Sequence, residues 1–175
     1  MPYQYTREPL TQEEATRLAN ACEKPIEKII VWTLLDTGLR ASELASLSKD
    51  NIDWQMHRLT IYGKGGPYGK KSKRRIVPMT NRIQPLLESY FAINDTFGYS
   101  RRHIWLITKQ VANRAKIKRP VSPHVLRHTF SVTSIQKGVS LPALQRILGH
   151  DNLSTTQIYL NLSPEEAINE FKRKW

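Results

Sequence analysis

Helix start and stop signals punctuate this chain along almost its whole length, and they lapse once, between residues 51 and 78. Thr11 followed three residues later by Glu14 has the capping-box spacing, and Gly38 closes the apolar run IEKIIVWTLLDT. Ser122-Pro123 and Ser163-Pro164 each place proline at a first helical position, and Gly138 and Gly149 supply stops. Ser154 with Gln157 and Ser163 with Glu166 repeat the box, with Leu153 and Ile158 spaced as a hydrophobic staple. These signals predict helices over about 11–21, over 26–37, briefly over 42–47, and over roughly 81–94, 104–116, 123–137, 140–148, 154–161 and 164–174. In the gap, NIDW, RLTIYG and KRRIVPM are short β-rich runs parted by turn residues, and the glycine- and lysine-rich KGGPYGKKS reads as a mobile basic loop between the last two. The predicted fold class is mainly α with one small antiparallel β-sheet (α+β).

At 175 residues, the chain makes one domain with a core of its own. A single cysteine, Cys22, excludes an internal disulfide framework and a multi-cysteine zinc site. The N-terminus lacks a signal peptide's apolar run and no segment is apolar for long enough to span a bilayer, so the expectation is a soluble cytoplasmic protein. The formal charge is +12, and its distribution says more than its size. Nine of the fifteen acids fall at or before Asp53, whereas 54–87 and 96–150 contain none and hold eight and ten Lys/Arg. One side of the fold should therefore carry a broad positive field suited to a polyanion. A membrane surface fits less well, because no basic amphipathic helix or lipidation motif is present.

Polar side chains that could do chemistry gather at element boundaries: Arg40 after a buried helix, Lys64 at a strand end, His124 and Arg127 on one helix face, and His150 with Tyr159 around a capped turn. Several cations and a phenol suit phosphoryl transfer without a metal. Forked arginine donors can hold two nonbridging oxygens as their charge grows, a tyrosine can attack and conserve the bond energy in a covalent intermediate, and a lysine can protonate the leaving oxygen. Two other readings fit less well. His124 and His128 in HVLRH are spaced to face one metal, but Val125 stands where a zinc protease has its glutamate, and no third ligand follows. GKGG over 63–66 lacks the spacing and the helix of a nucleotide-binding loop.

The ordered segments TGLRASEL (37–44), GKGG with KRRIVPM (63–66 and 73–79), HVLRH (124–128) and LGHDNLSTTQIY (148–159) resemble the signatures of tyrosine recombinases of the phage-integrase and Xer type, over nearly the whole chain. The resemblance implies that family's catalytic-domain fold, of the DNA breaking-rejoining type. It implies site-specific cutting and rejoining of double-stranded DNA through a 3′-phosphotyrosyl link, with neither metal nor nucleotide cofactor. Tyr159 is then the nucleophile, and Arg40 and Arg127 clamp the scissile phosphate. His124 assists proton transfer, His150 hydrogen-bonds the phosphate, and Lys64 protonates the leaving 5′ oxygen. Glu43 is the acidic residue that orients arginine and histidine side chains, and His128 supports the site.

The turn after GKGG is longer than that family's usual one, with 67–72 looking inserted, so Lys70, Lys71 or Lys73 is an alternative source of the proton. Lys70, Lys71, Lys73, Arg74, Lys118 and Arg119 are the expected DNA contacts. The domain reading is one catalytic domain over 1–175, with 1–9 as an extension, no N-terminal core-binding domain, and consequently weakened, less selective DNA binding by this chain alone. The helix within 163–175 would pack either on its own domain or on a neighbour in a homotetramer on DNA. Two other activities use the same scaffold: non-catalytic DNA binding, and relaxation of DNA in the manner of a type IB topoisomerase.

Overall fold

A computed structural model describes residues 8–63, 74–149 and 172 of the chain. Its first helix, α1 (Gln12–Asn20), is capped as the sequence predicts, with Thr11 Oγ1 accepting from the Glu14 amide at 3.2 Å and the Thr11 amide donating to Glu14 Oε2 at 2.9 Å. The next helix, α2 (Pro25–Thr37), buries Ile29, Ile30, Val31 and Leu34 and is therefore apolar around much of its circumference. It packs against α1 and, further along the chain, α4 (Gln84–Phe91), α5 (Arg101–Arg114) and α6 (Pro123–Gln136). Gly38 ends it at φ +63°, where a Cβ would press on Phe130 and Leu148, so the stop is also a close approach between elements.

A buried carboxylate paired with a partly exposed arginine fixes the start of α2. Glu27, the third helical residue, accepts from the amides of Glu23 and Lys24 at 2.8 and 3.1 Å and from both terminal nitrogens of Arg114 on α5, at 2.8 and 3.2 Å. The Arg114 hydrogen bonds outweigh burial and hold the Glu27 carboxyl down at about 2.

After α3 (Ala41–Ala45) and one 3₁₀ turn, Lys49–Asn51, the chain forms an antiparallel sheet in the order β1 (Ile52–Asp53), β2 (Arg58–Tyr62), β3 (Arg74–Pro78). Leu59 faces Val77 and Ile61 faces Arg75 on the face turned to the core, while Thr60 and Ile76 lie on the other. The inner face of β3 packs on the last described helix, α7 (Leu141–Leu148), which Gly149 stops at φ +68°.

Two helix starts differ from the sequence reading by three residues, the others among the described residues by at most one. Helix α5 begins at Arg101 rather than 104, because Ser100 Oγ caps it by accepting the His103 amide at 3.3 Å, ahead of the first apolar residue. Helix α4 begins at Gln84 rather than 81, since the Thr80 carbonyl takes the Ile83 and Gln84 amides in a turn first. The basic loop of 64–72, Lys73 at the head of the last strand run, and the helices expected over 154–161 and 164–174 lie outside the described residues, apart from Lys172. No helix among the described residues is long and apolar enough to cross a membrane.

Candidate active site

Arg40 occupies the N-cap position of α3, two residues after Gly38 turns the chain out of α2, with φ −74° and ψ 152°. Its backbone amide donates to Glu43 Oε2 at 2.8 Å and its Nη1 to Oε1 at 3.0 Å, while 46% of its side chain stays exposed. Glu43 is 6% exposed and takes two further bonds, from Arg75 Nη1 and Nη2 at 2.7 and 2.8 Å. Burial alone would push this carboxyl up. The Arg75 bonds, the Arg40 amide and the two positive charges overcome that and hold it down at about 2. Glu43 thus holds the guanidinium groups of two arginines. Among the described residues its partners are Arg40 and Arg75, and neither His124 nor His128 is one of them.

Arg127 lies in the middle of α6 and is 4% exposed. Its Nη1 donates to the Gly38 carbonyl, and its Nη2 to the Leu148 carbonyl at 2.7 Å. The guanidinium is therefore fixed against the ends of α2 and α7. Arg75 Nε donates to the neighbouring Ile147 carbonyl at 2.7 Å, so two arginines hold consecutive carbonyls at the negative end of α7. At Gly149 a Cβ would stand 2.8 Å from Arg75 Cδ, which leaves glycine as the residue that fits both the left-handed turn and the guanidinium stem.

His124 follows Pro123 in the first turn of α6, where Ser122 Oγ accepts the Val125 amide at 3.4 Å. It is exposed, and its ring meets that of His128 one turn later edge-on, at 4.6 Å between centroids. The described residues contain no group of three or more His, Cys, Asp or Glu placed to hold a metal.

Arg40, His124 and Arg127, which span residues 40–127 of the chain, line one groove of about 1290 Å³. Its described lining carries seven Lys or Arg and no Asp or Glu. The starts of α3 and α6 open onto it, adding backbone amides and the positive ends of helix dipoles. A phosphodiester laid there meets forked cations and an imidazole, the donors that a charged phosphoryl transition state requires.

Lys118 and Arg119 also line the groove, and the Arg119 guanidinium is held by Glu14, by the Pro9 carbonyl at 2.6 Å and by Glu8 at 3.4 Å. Arg74 is exposed at the start of β3. Lys64, Lys70, Lys71, Lys73, His150 and Tyr159 lie outside the described residues.

Sequence reasoning missed Arg75 and the basic face of α5. Arg101, Arg102 and Lys109 line the groove beside Trp105, whose indole carries the Lys109 ammonium 5.0 Å from the ring centroid. The acid-free run of 96–150 was the available signal for α5. For Arg75 it was strand alternation, which turns it inward with Val77 while Arg74 and Ile76 point out.

The model of the phage integrase family matches residues 8–166. The chain is 35% identical over 172 residues to the tyrosine recombinase XerA of Thermococcus kodakarensis, covering 89% of this chain and 58% of that protein. A crystal structure of XerA recombinase has a TM-score of 0.81 at 30% identity, covering 98% of this chain and 66% of that one. The catalytic domain of bacteriophage HP1 integrase has a TM-score of 0.68 at 25% identity, covering 94% of each chain. This chain therefore spans 58% of the length of a curated relative and 94% of an isolated catalytic domain. From the motifs in their order, the fold and these likenesses together, the chain belongs to the phage integrase family, that of the tyrosine recombinases its sequence resembles.

Proposed function

We propose that this chain is a catalytic domain that cuts and rejoins double-stranded DNA at specific sites. The observation that carries the reading is the convergence of Arg40, His124 and Arg127 on one groove whose described lining is free of acids. The relatives named tyrosine recombinases support it.

In this mechanism Arg40 and Arg127 hold the nonbridging oxygens of the scissile phosphate, and His150 adds a hydrogen bond. The Tyr159 hydroxyl attacks phosphorus while His124 assists removal of its proton. The bond from phosphorus to the 5′ oxygen breaks, and Lys64 gives that oxygen a proton, leaving a 3′-phosphotyrosyl link and a free 5′ hydroxyl. A 5′ hydroxyl from a partner strand reverses the steps, so the number of phosphodiesters is unchanged. Lys70, Lys71 and Lys73 are the alternative donors of the proton. DNA contacts extend over Arg74, Lys118 and the α5 cations Arg101, Arg102 and Lys109, with Arg119 bracing α1 instead. Binding made mostly to phosphate falls steeply with salt.

The active assembly is a homotetramer on DNA, which places the protein at the nucleoid. Removing 163–175 without effect on that assembly rejects an exchange of the C-terminal helix between neighbours.

Covalent trapping tests the reaction. The protein is incubated in EDTA with end-labelled duplexes tiled across DNA flanking its gene, each nicked to trap cleavage, and then denatured. A slowed protein band that Tyr159→Phe removes is expected. DNA binding without any covalent product, for this chain and for a version extended at its N-terminus, would reject strand cleavage.

A further inference from the structure

Two cations share the Glu43 carboxylate, and they differ in exposure. Arg40 lines the groove with 46% of its side chain exposed and gives Glu43 one side-chain bond. Arg75 is not among the groove's lining side chains, is 9% exposed, and gives Glu43 two bonds and the Ile147 carbonyl a third. The trio carries a surplus of one positive charge, and the exposed member is the one able to use it.

We propose that Arg75 is a positioning residue that balances the charge of Glu43, so that the Arg40 guanidinium is left to bind a DNA phosphate. This rests on the reading of the groove as a DNA site. A buried carboxylate without a full counter-charge is costly, so it recruits whatever cation can reach it. Without Arg75, Arg40 is the guanidinium among the described residues that stays bonded to Glu43, and it turns its fork from the groove onto the carboxylate as the counterion. Arg75 also fixes the carboxylate in space. Through the Ile147 carbonyl it ties Glu43 to the end of α7, beside the carbonyl that Arg127 holds, so both clamping arginines are referred to the same helix end.

The test is the salt dependence of binding to a labelled duplex, read by fluorescence anisotropy on variants that circular dichroism shows to be folded. Arg75→Gln is expected to weaken binding roughly three- to tenfold and to lower the slope of log K against log salt by about 0.9, one phosphate's worth, as Arg40→Ala does. In an Arg40→Ala background, Arg75→Gln should change the slope no further. Adding Glu43→Gln to Arg75→Gln should restore the slope, and Arg75→Lys should retain it. A loss that is additive with Arg40→Ala, or one that Glu43→Gln leaves unrepaired, overturns the proposal.

If Arg75→Gln does not fold, the neutral pair Glu43→Gln/Arg75→Gln decides. A parental slope that drops on adding Arg40→Ala supports the proposal, and a slope already lowered overturns it. Binding with the expected pattern but no covalent product refutes strand cleavage and leaves the role of Arg75 standing. Cleavage by the parent together with additive losses refutes the role and leaves cleavage. A parent that binds no duplex refutes both.

Discussion

Glu27 at the start of α2 and Glu43 at the start of α3 are built to one plan. Each is a buried third residue of a helix that accepts the N-cap amide and takes both terminal nitrogens of an arginine from a distant element, Arg114 on α5 or Arg75 on β3. Each carboxyl is held at about 2. They differ in the leftover charge. Arg114 pairs with Glu23 as well as Glu27, so that cluster is short of positive charge, whereas Glu43 has Arg75 and Arg40 and one positive charge to spare. A clamp of this kind is scaffold when its charges are spent internally, and becomes part of a site when the surplus faces a groove.

The largest expected effects fall on the two clamps themselves. Arg114→Ala should destabilise the fold by about 3–5 kcal/mol in urea unfolding, because it strands the buried Glu27 carboxylate, and Arg75→Ala by less, about 2–3 kcal/mol, because Arg40 stays bonded to Glu43. A loss below about 1 kcal/mol in either would end the parallel.

Acid should undo both clamps in one window. With folded values of about 2 against an ordinary 4.5, the carboxyls contribute fully above pH 4.5, and that stability is lost as pH falls from 4.5 towards 2. For Glu43 the whole effect is about 3 kcal/mol at most. Thermal melts across that range should flatten in Glu27→Gln/Glu43→Gln, and an unchanged slope would contradict the assignment.

Chemistry should separate the two. Glu43→Gln is expected to slow covalent cleavage roughly ten- to a hundredfold by loosening Arg40, and Glu27→Gln to stay within about twofold in folded protein. Equal losses would mean that both act through stability alone.

The smallest effect concerns glycines. Gly98 and Gly149 have φ of +71° and +68°, but an added Cβ meets Arg75 Cδ at 2.8 Å at Gly149 and nothing nearer than 3.7 Å at Gly98. Gly98→Ala should cost about 1 kcal/mol and Gly149→Ala more, with the excess vanishing in an Arg75→Ala background.

What was legible in the sequence was local. Thr11 with Glu14, Gly38, Ser122-Pro123 and Gly149 each cap or stop a helix through neighbours within a few residues, so spacing alone locates them. The start of α5 was missed because its first turn, Arg101 to His103, is polar, and an apolar period begins only at Ile104. Arg40, His124 and Arg127 were found through their motifs. Arg75 was not, because its partner Glu43 lies 32 residues away and its charge resembles that of its exposed neighbour Arg74.

The most direct measurement is to map the covalent adduct. Cleavage after Arg146 and Lys172 releases 147–172, a peptide with one tyrosine, Tyr159. After nuclease trimming of the trapped complex, tandem mass spectrometry should find a nucleotide 3′-phosphate on that tyrosine, dependent on Arg40 and Arg127 and indifferent to EDTA. A nucleotide on any other side chain, or an adduct formed equally well by Arg127→Ala, would contradict a tyrosine nucleophile working on a phosphate held in this groove.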